Sequence, residues 1–280
     1  MEARMRELRG RTALVTGSSG GIGRHIALAL SREGMDVAVS GRRQGALESV
    51  VGELRGLGVR AEAVPADLYD LTQVDPLIDR AEAALGPIDL LVNNAGVEAT
   101  AAFTSYTREE LTSMVDLNLT APMLLTHRVL PGMLSRGRGH VVFMASLAGK
   151  LGPPYTEPYA ATKAGLIGLN QSLRAEYLEA PIGFTVVCPG FVAGDGMYQR
   201  LVEEGLSSNR LLGETTLEKL IPKVVDAIKD DRPEVVESGA PVRPILALAQ
   251  YAPRVVERTA PRLGVTELFR RVAGHRDRLS

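Results

Sequence analysis

The sequence is poor in the residues that mark several large classes of protein. It contains one cysteine, Cys188, and no tryptophan, and only 4% of its residues are aromatic. A single cysteine excludes a disulfide framework and fits a reducing compartment, in which Cys188 is expected to be a core residue. The arginines are dispersed, so nothing indicates a nucleic-acid partner. The 4 histidines show no metal-ligand spacing, and no metal site is expected.

Long apolar segments and an excess of one charge are missing as well. No uninterrupted apolar stretch approaches the roughly 18 residues that a membrane-spanning helix needs. The charged amino-terminal residues lead into no apolar segment of the kind that signal peptides carry. The formal net charge is -1, and 280 residues are enough to bury a full core. We therefore expect a soluble, cytoplasmic protein.

Short apolar segments rich in β-branched residues alternate with longer helical patterns, which is typical of parallel strands joined by helices. The predicted strands are 12–16, 36–40, 59–66, 88–92, 139–145 and 182–188, with an edge strand at Val235 and Val236. The predicted helices are 22–32, 44–57, 72–85, 107–135 and 157–179. The expected fold class is α/β, a Rossmann-type doubly wound parallel sheet of about seven strands with helices on both faces.

A glycine-rich turn, TGSSGGIG at 16–23, follows the first predicted strand and opens the first predicted helix. This is the context of a phosphate-binding loop. Gly17 suits the tight turn, Gly21 leaves room for backbone to approach a pyrophosphate, and Gly23 permits close helix–strand packing. The helix N-terminus adds unpaired N–H groups and a partial positive charge. The alternative is a flexible turn that binds no ligand.

A tyrosine and a lysine, Tyr159 and Lys163, lie one turn apart in a predicted helix. An ammonium beside a phenol favours the phenolate, so we expect the pKa of Tyr159 to fall from about 10 towards neutrality. Ser146 follows a predicted strand and is placed to hydrogen-bond the same substrate oxygen. The three groups suit acid–base chemistry on a carbonyl/alcohol pair. A hydrolase using Ser146 and Lys163 is the rival, but Ser146 does not lie in a GxSxG elbow and no histidine partner is placed beside it.

The chain carries a set of motifs in sequence order, namely TGSSGGIG at 16–23, NNAG at 93–96, Asn118, Ser146, YAATK at 159–163 and Pro189-Gly190. As a set they resemble the short-chain dehydrogenase/reductase family, and specifically its compact single-domain branch. The glycine loop satisfies both the compact pattern TGxxxGxG, through Gly21 and Gly23, and the two-domain pattern TGxxGxxG, through Gly20 and Gly23. Length and the NNAG motif favour the compact branch.

The resemblance implies an oxidoreductase that binds a nicotinamide dinucleotide. In the family the tyrosine matching Tyr159 donates or accepts the proton, the lysine matching Lys163 binds the nicotinamide ribose, and the serine matching Ser146 orients the substrate. Asn118 resembles a fourth member, which holds a water that links the lysine to solvent. The sequence adds a reason, because Pro122 has no N–H and leaves the Asn118 carbonyl to accept from water. A simple helix kink is the alternative.

Further cofactor contacts are implied by the resemblance alone. Asp67 and Leu68 would contact the adenine, and Asn93, Ala95 and Gly96 would line the ribose side. The other matched positions are Ser19, Ile22, Pro189, Gly190 and Val192. Gly194 stands where family members often have a threonine that binds the carboxamide.

The end of the second predicted strand indicates which nicotinamide cofactor is preferred. An acidic residue there would hold the ribose hydroxyls of NAD, whereas this chain has Ser40, Gly41, Arg42 and Arg43. Two guanidiniums are suited to bidentate pairing with a 2′-phosphate. We therefore expect NADP(H) to be preferred over NAD(H). The family's other basic position is occupied by Gly20, and the alternative is that both arginines are solvated loop charges.

The loops after the fourth, fifth and sixth predicted strands are expected to form the substrate pocket. They contribute Val97, Glu98, Leu147, Leu151, Pro153, Pro154, Tyr155, Phe191, Met197 and Tyr198. The set is mostly apolar and indicates a hydrophobic ketone or secondary alcohol. Glu98 is the exception, placed either to contact a polar substituent or to be solvated. The alternatives are a 3-oxoacyl-thioester reductase and, in another class, a non-catalytic NADP-binding sensor or scaffold.

The last part of the chain extends past the usual end of a compact family member. We expect residues 1–240 to form the Rossmann-type catalytic domain and residues 241–280 a helical extension packed on it. The extension is apolar and rich in arginine, and prolines break it into short amphipathic helices. Three interpretations compete: a lid over the pocket, a subunit contact, and an interfacial membrane anchor. Family resemblance also implies a homodimer or homotetramer formed through two long helices.

Overall fold

The computed structural model describes residues 5–194, 213–259 and 264–276. The strands of its main sheet are β1 (Thr12–Thr16), β2 (Asp36–Ser40), β3 (Ala61–Ala63), β4 (Leu90–Asn93), β5 (Gly139–Met144), β6 (Ile182–Pro189) and β9 (Glu234–Glu237). They are all parallel and lie in the order β3-β2-β1-β4-β5-β6-β9. A separate parallel pair consists of β7 (Phe191–Ala193) and β8 (Glu214–Thr216). The predicted Rossmann-type fold is confirmed, including the edge strand at Val235 and Val236.

Helices cover both faces of this sheet. Those that precede β9 are α1 (Gly21–Arg32), α2 (Gln44–Arg55), α3 (Val74–Leu85), α4 (Arg108–Val115), α5 (Ala121–Arg136), α6 (Ala148–Leu151), α7 (Glu157–Glu176) and α8 (Leu217–Asp230). Those that follow it are α9 (Arg243–Tyr251), α10 (Pro253–Thr259) and α11 (Val265–Arg276). Across the described ranges, no helix combines the length and apolarity that crossing a membrane requires.

The strand β1 shows why the sheet is covered on both sides. Successive side chains of a strand point to opposite faces, and here both faces are apolar. Ala13 and Val15 belong to the cluster that contains Ile26 of α1, whereas Leu14 belongs to the cluster that contains Ile78 of α3. All of these side chains are fully buried. The uninterrupted apolar character of the strand sequences is therefore explained by a sheet between two helical layers.

The helix predicted at 107–135 is divided in two. A capping box between Thr107 and Glu110 starts α4, and a π-helical turn at Asp116–Thr120 joins it to α5. Pro122 lies at the start of α5, where a missing N–H is tolerated. The chain before it takes the wider π spacing, which is rare and often found at functional sites. The single helix predicted at 107–135 is therefore wrong in its middle, where Asn118 lies in the π turn between the two α-helices.

His140 gives the fold a dependence on pH. Its side chain is fully buried in β5, where Nε2 lies 2.9 Å from the Thr185 hydroxyl oxygen. Burial, and then the nearby Arg174 guanidinium, lower the pKa of His140 to about 3. The unfolded chain binds a proton near pH 6.5 that the folded chain binds only near pH 3. This contribution to stability is therefore complete above about pH 6.5 and is lost as the pH falls towards 3.

We expect the free energy of unfolding to fall by about 3 kcal/mol more in the wild type than in His140→Gln between about pH 7 and about pH 4.5. Glutamine keeps a polar group for Thr185 but does not titrate. Urea unfolding of both chains at the two pH values measures the difference, because other titrating groups contribute equally to both. Equal losses in the two chains would show that His140 is not responsible.

Candidate active site

A cavity of about 1310 Å³ opens at the carboxyl ends of β1, β4 and β5. The strand order reverses direction between β1 and β4, which is where ligands bind in open α/β sheets. A pocket for one small ligand typically measures about 300–1,000 Å³. The cavity is therefore large enough for a dinucleotide together with a substrate.

The glycine loop is shaped by contacts with the loop after β4. Gly17 has a φ of 65°, and a Cβ there would lie 2.7 Å from the Ala95 Cα. A Cβ on Gly23 would lie 2.5 Å from both the Gly17 carbonyl oxygen and the Asn94 Nδ2. The same Asn94 amide donates hydrogen bonds to the Thr16 and Gly17 carbonyls, at 2.9 and 3.1 Å. Gly23 is thus needed for packing within the loop, and it does not line the cavity.

The start of α1 is suited to binding an anion. The helix begins after Gly20 without a side-chain cap, and no acidic residue lies in its first turn. A Cβ on Gly20 would meet no other atom within 4 Å, so this position faces open space. A helix N-terminus of this kind provides N–H donors and partial positive charge for a phosphate. The residues present therefore fit the pyrophosphate of a dinucleotide.

Two arginines lie on the cavity wall after β2. The Arg42 guanidinium stacks 5.4 Å from the centroid of the Tyr69 ring, and the Arg43 Nη2 lies 3.5 Å from the Ser19 hydroxyl oxygen. Asp67 also lines the cavity, but its carboxylate accepts a hydrogen bond from the Tyr69 backbone at 3.2 Å. Both guanidiniums line this end of the cavity, and the structure, which describes all three residues, shows no ion pair between either of them and Asp67.

Most of the cofactor contacts predicted from the sequence lie on the wall of this cavity. These are Gly17, Ser19, Gly21, Ile22, Ser40, Arg42, Arg43, Asp67, Leu68, Ala95, Gly96, Tyr159, Lys163, Pro189, Gly190 and Val192. Two others are placed elsewhere, namely Gly23 and Asn93. Asn93 is the last residue of β4, and its buried Nδ2 donates to the Thr126 hydroxyl at 3.2 Å. Its side chain therefore packs against α5 instead of the ribose side of the cavity.

Ser146, Tyr159 and Lys163 come together at the centre of the cavity wall. Ser146 follows β5, and the other two lie one turn apart near the start of α7. The Ser146 hydroxyl lies near enough to the Tyr159 phenol to favour its ionised form, and Ser146 Oγ accepts from the Ala148 N–H at 3.1 Å. The Lys163 Nζ lies 5.5 Å from the Tyr159 ring centroid and donates to the Met144 carbonyl at 2.7 Å. Ser146 and Tyr159 can thus act on one substrate oxygen, with the Lys163 ammonium beside them.

The electrostatics of this cluster differ from the sequence prediction. Burial, and then the negative charge of Glu98, raise the pKa of Tyr159 above its ordinary value, although the Ser146 hydroxyl opposes this. Burial lowers the pKa of Lys163 to about 8, even though Glu98 favours its charged form. The expected fall in the Tyr159 pKa does not occur in the chain alone, because burial and the negative charge of Glu98 both disfavour the phenolate.

The Asn118 side chain forms hydrogen bonds to the loop after β4. Its Oδ1 accepts from the Val97 N–H and its Nδ2 donates to the Val97 carbonyl, both at 2.8 Å. The Nδ2 also lies 3.3 Å from the Thr162 hydroxyl oxygen. The side chain is fully buried and does not line the cavity. A water between the Asn118 carbonyl and Lys163 stays a prediction.

The substrate side of the cavity is mostly apolar, as the loop sequences predict. Of the residues expected there, Val97, Glu98, Leu147, Leu151, Pro153, Pro154 and Phe191 line the wall. Tyr155 does not, and Met197 and Tyr198 lie outside the described residues. Gly194 has a φ of 111°, a conformation that a threonine would adopt only with strain. This explains glycine at a position where family members often have threonine.

The carboxyl-terminal helices complete the wall. They and the segment before them contribute Ala240, Val242, Ile245, Leu248, Val256, Glu257, Thr259, Thr266 and Phe269. Phe269 of α11 is buried and lies 6.4 Å from Phe191, measured between ring centroids. These residues are not evident as pocket residues from the sequence, which also gives Asn94 no more than a role in a turn and gives Tyr69 none. Successive side chains point to opposite sides at the end of β4, and this alternation predicts that Asn94 and Asn93 have different partners.

The sheet order, the uncapped glycine loop and the Ser146–Tyr159–Lys163 cluster define a nucleotide-binding oxidoreductase of Rossmann type. A family model for short chain dehydrogenases matches residues 11–204. The chain belongs to the short-chain dehydrogenase/reductase family, as the resemblance of its motifs indicated.

Three relatives show how far the similarity extends. The ketoacyl reductase HetN of a Nostoc species is 36% identical over 277 residues, covering 97% of this chain and 96% of that protein. The oxidoreductase UcpA of Escherichia coli is 38% identical over 189 residues, covering 67% of this chain and 72% of that protein. A structure from Beutenbergia cavernae, assigned as an NAD(P)-dependent gluconate 5-dehydrogenase with NADP at low occupancy, has a TM-score of 0.74 and 31% identity, covering 82% and 96% of the two chains.

Proposed function

We propose that this chain is an NADP(H)-dependent reductase/dehydrogenase that interconverts a hydrophobic ketone and its secondary alcohol. The observation that carries the proposal is the shared cavity, which brings the Ser146–Tyr159–Lys163 cluster and the uncapped start of α1 to one site. When bound, the nicotinamide supplies or accepts the hydride. The remaining chemistry belongs to the side chains of the chain itself.

Tyr159 is the proposed proton donor in the reducing direction. Reduction of a carbonyl places negative charge on the substrate oxygen, which needs hydrogen bonds and a proton as the charge appears. The raised pKa keeps the Tyr159 phenol protonated at neutral pH, so the proton is available. Ser146 would orient the same oxygen, and Lys163 would bind the ribose hydroxyls, as the family resemblance implies. Asn118 fixes the loop that faces this cluster.

A preference for NADP(H) is supported by the arginines after β2. Arg42 and Arg43 both line the cavity at the end where the resemblance places the adenosine ribose. Stacking on Tyr69 holds the Arg42 guanidinium in place, and arginine suits bidentate phosphate recognition. The Beutenbergia relative contains NADP, which is compatible with this preference.

A 3-oxoacyl-thioester reductase is the second candidate, because the relative HetN is named a ketoacyl reductase and matches nearly the whole chain. An apolar wall suits an acyl chain as well as a simple ketone. A catalytically idle NADP-binding scaffold is opposed by the complete Ser146–Tyr159–Lys163 set. The decisive experiment is to follow cofactor absorbance with ketones, secondary alcohols and acyl thioesters, using NADPH and NADH in parallel. Turnover of free ketones without any turnover of thioesters would reject the second candidate.

Residues 241–280 are proposed to be a lid that extends the catalytic domain formed by residues 1–240. The extension lines the same cavity as the catalytic cluster, which supports a lid over the alternatives of a subunit contact or a membrane anchor. The match to HetN covers 97% of the chain and therefore reaches into the extension. The lid would close the apolar side of the pocket through Phe269.

Phe269→Ala is expected to raise KM for a long-chain ketone by about tenfold, because a buried aromatic contact with the chain is lost. For butanone, which does not reach this wall, the expected change is below about twofold. Tyr251→Ala is the matched control, since Tyr251 lies in the same extension but is 89% exposed. Initial rates over a series of ketone lengths measure the effect. A KM that is equally raised at all lengths would contradict the lid.

An oligomer formed through the long helices, a homodimer or homotetramer, is proposed on the basis of exposed apolar side chains. They are Val115 at the end of α4 and Met123, Leu124 and Leu134 on α5, each exposed by 36–41%. Side chains of this kind are common at subunit interfaces. Light scattering after size-exclusion chromatography measures the assembly. A cytoplasmic location remains part of the proposal.

A further inference from the structure

Glu98 places a carboxylate on the otherwise apolar substrate side of the cavity. It follows Val97, whose N–H and carbonyl are both held at 2.8 Å by the Asn118 side chain. Asn118 is itself fully buried, so the Val97 backbone is held by a side chain of the protein interior. Glu98 is half-buried and lines the cavity together with Ser146, Tyr159 and Lys163. Its position is therefore set by the fold.

Few interactions in the protein offset the cost of burying the Glu98 carboxylate. Among the described residues, no hydrogen bond or ion pair within contact distance reaches Glu98, and Lys163 donates instead to the Met144 carbonyl. Glu98 interacts electrostatically with Lys163 and Tyr159, and burial raises its own pKa. A half-buried carboxylate that lacks a partner gains free energy when a ligand supplies a donor. It opposes a ligand that brings a second negative charge.

The residues around Glu98 allow it to select between substrates by their polar substituents. Leu147, Leu151, Pro153 and Phe191 line the same side of the cavity and offer no side-chain donor or acceptor. A polar substituent close to the reacting carbonyl therefore finds a charged acceptor in Glu98, which interacts with Tyr159 and Lys163. The carboxylate of Glu257, by contrast, lines the wall from the extension. Specificity arises both from the bond that Glu98 can accept and from the substrates that it repels.

We propose that Glu98 is a specificity-determining residue, which accepts a hydrogen bond from a donor next to the reacting carbonyl and excludes substrates that carry a carboxylate there. The inference rests on the proposed function. It predicts that keto acids are poor substrates, whereas their esters and hydroxyketones are good ones. If the natural substrate derives from a keto acid, the acid must first be converted to a neutral ester or thioester.

Two matched pairs of phenyl ketones test this selection. Methyl benzoylformate and benzoylformate differ in one negative charge, and phenacyl alcohol and propiophenone differ in one hydroxyl. The variants are Glu98→Gln, which keeps the shape of the side chain, and Asp226→Asn, which removes an exposed carboxylate of α8 outside the cavity. The readout is the ratio of kcat/KM within each pair. Thermal unfolding of each variant checks that it is folded.

We expect Glu98→Gln to lower the preference for methyl benzoylformate over benzoylformate by at least about tenfold. It should lower the preference for phenacyl alcohol over propiophenone by at least about tenfold, the lower end of what one charge-assisted hydrogen bond contributes. Asp226→Asn should leave both ratios as they are in the wild type. Unchanged ratios in a folded Glu98→Gln chain, or the same change in both variants, would overturn the proposal.

Calorimetric titration of the cofactor-free chain separates this inference from the proposed function. Glu98→Gln should bind benzoylformate at least about tenfold more tightly than the wild type and phenacyl alcohol more weakly. If these binding changes occur but none of the four ketones is reduced, the reductase function fails while the role of Glu98 stands. If ketones are reduced but neither binding nor the ratios change, the role of Glu98 fails alone.

Discussion

Replacing Tyr159 with phenylalanine is expected to lower kcat for ketone reduction by about 10²–10⁴-fold, the usual contribution of a general acid. The substitution removes only the hydroxyl of Tyr159, and it keeps a ring that is 6% exposed. Because the glycine loop and the arginines after β2 are untouched, NADPH should bind within about twofold of the wild type. Absorbance at saturating cofactor gives kcat, and fluorescence titration gives the affinity.

The control for Tyr159→Phe is Tyr177→Phe, which removes a phenol hydroxyl at the far end of α7. Tyr177 packs against Phe184, with ring centroids 6.0 Å apart, and it does not line the cavity. This variant should retain wild-type kinetics. If Tyr159→Phe keeps more than about a tenth of the wild-type kcat, the proton comes from another group and the proposed role of Tyr159 is wrong.

The catalytic cluster illustrates what sequence spacing establishes about a site and where it stops. Tyr159 and Lys163 were predicted as neighbours because helical residues four apart share a face, and the structure places them so. The direction of the Tyr159 pKa was wrong for the unliganded chain. It depends on burial and on Glu98, which is 61 positions away in sequence. Neither the depth of a pocket nor the charges that fold brings into it can be read from local spacing.

The two adjacent asparagines of the NNAG motif show a second limit. They are identical in type, but Asn93 ends β4 and bonds to Thr126, whereas Asn94 bonds to Thr16 and Gly17. Neighbouring side chains of an extended chain point in opposite directions, so one of the pair faces α5 and the other the glycine loop. The strand was predicted to end at residue 92, and Asn93 was assigned to the cofactor by the resemblance alone, without regard to the direction of its side chain.

The strand order and the division into two helical layers were accessible from the sequence for a simple reason. Buried parallel strands such as β1 need apolar side chains on both faces, and helices need a repeating apolar stripe. The sequence of the extension, residues 241–280, does not indicate its position in this way, because its amphipathic helices fit a lid, a subunit contact or a membrane surface equally well. Its position beside the pocket comes from the structure, in which its residues line the cavity and Phe269 lies 6.4 Å from Phe191, measured between ring centroids.

The double variant Arg42→Ala with Arg43→Ala is expected to lower kcat/KM for NADPH by about 10²–10³-fold. Two charge-assisted hydrogen bonds to a 2′-phosphate contribute about 1.5–3 kcal/mol each, less the part that solvent screening removes. The value for NADH should change by less than about threefold, because NADH carries no phosphate at that position. Initial rates with both cofactors give the ratio, and fluorescence titration separates cofactor binding from turnover.

Arg32→Ala is the matched control for this change of cofactor preference. Arg32 is an exposed arginine at the end of α1 and does not line the cavity, so its loss alters net charge without touching the proposed phosphate site. Its NADPH kinetics should match the wild type. The affinity of the double variant for NADPH should also lose most of its dependence on salt, because that dependence arises from the ion pairs. Equal losses for NADPH and NADH would mean that Arg42 and Arg43 only support the loop, and the preference for NADP(H) would then be wrong.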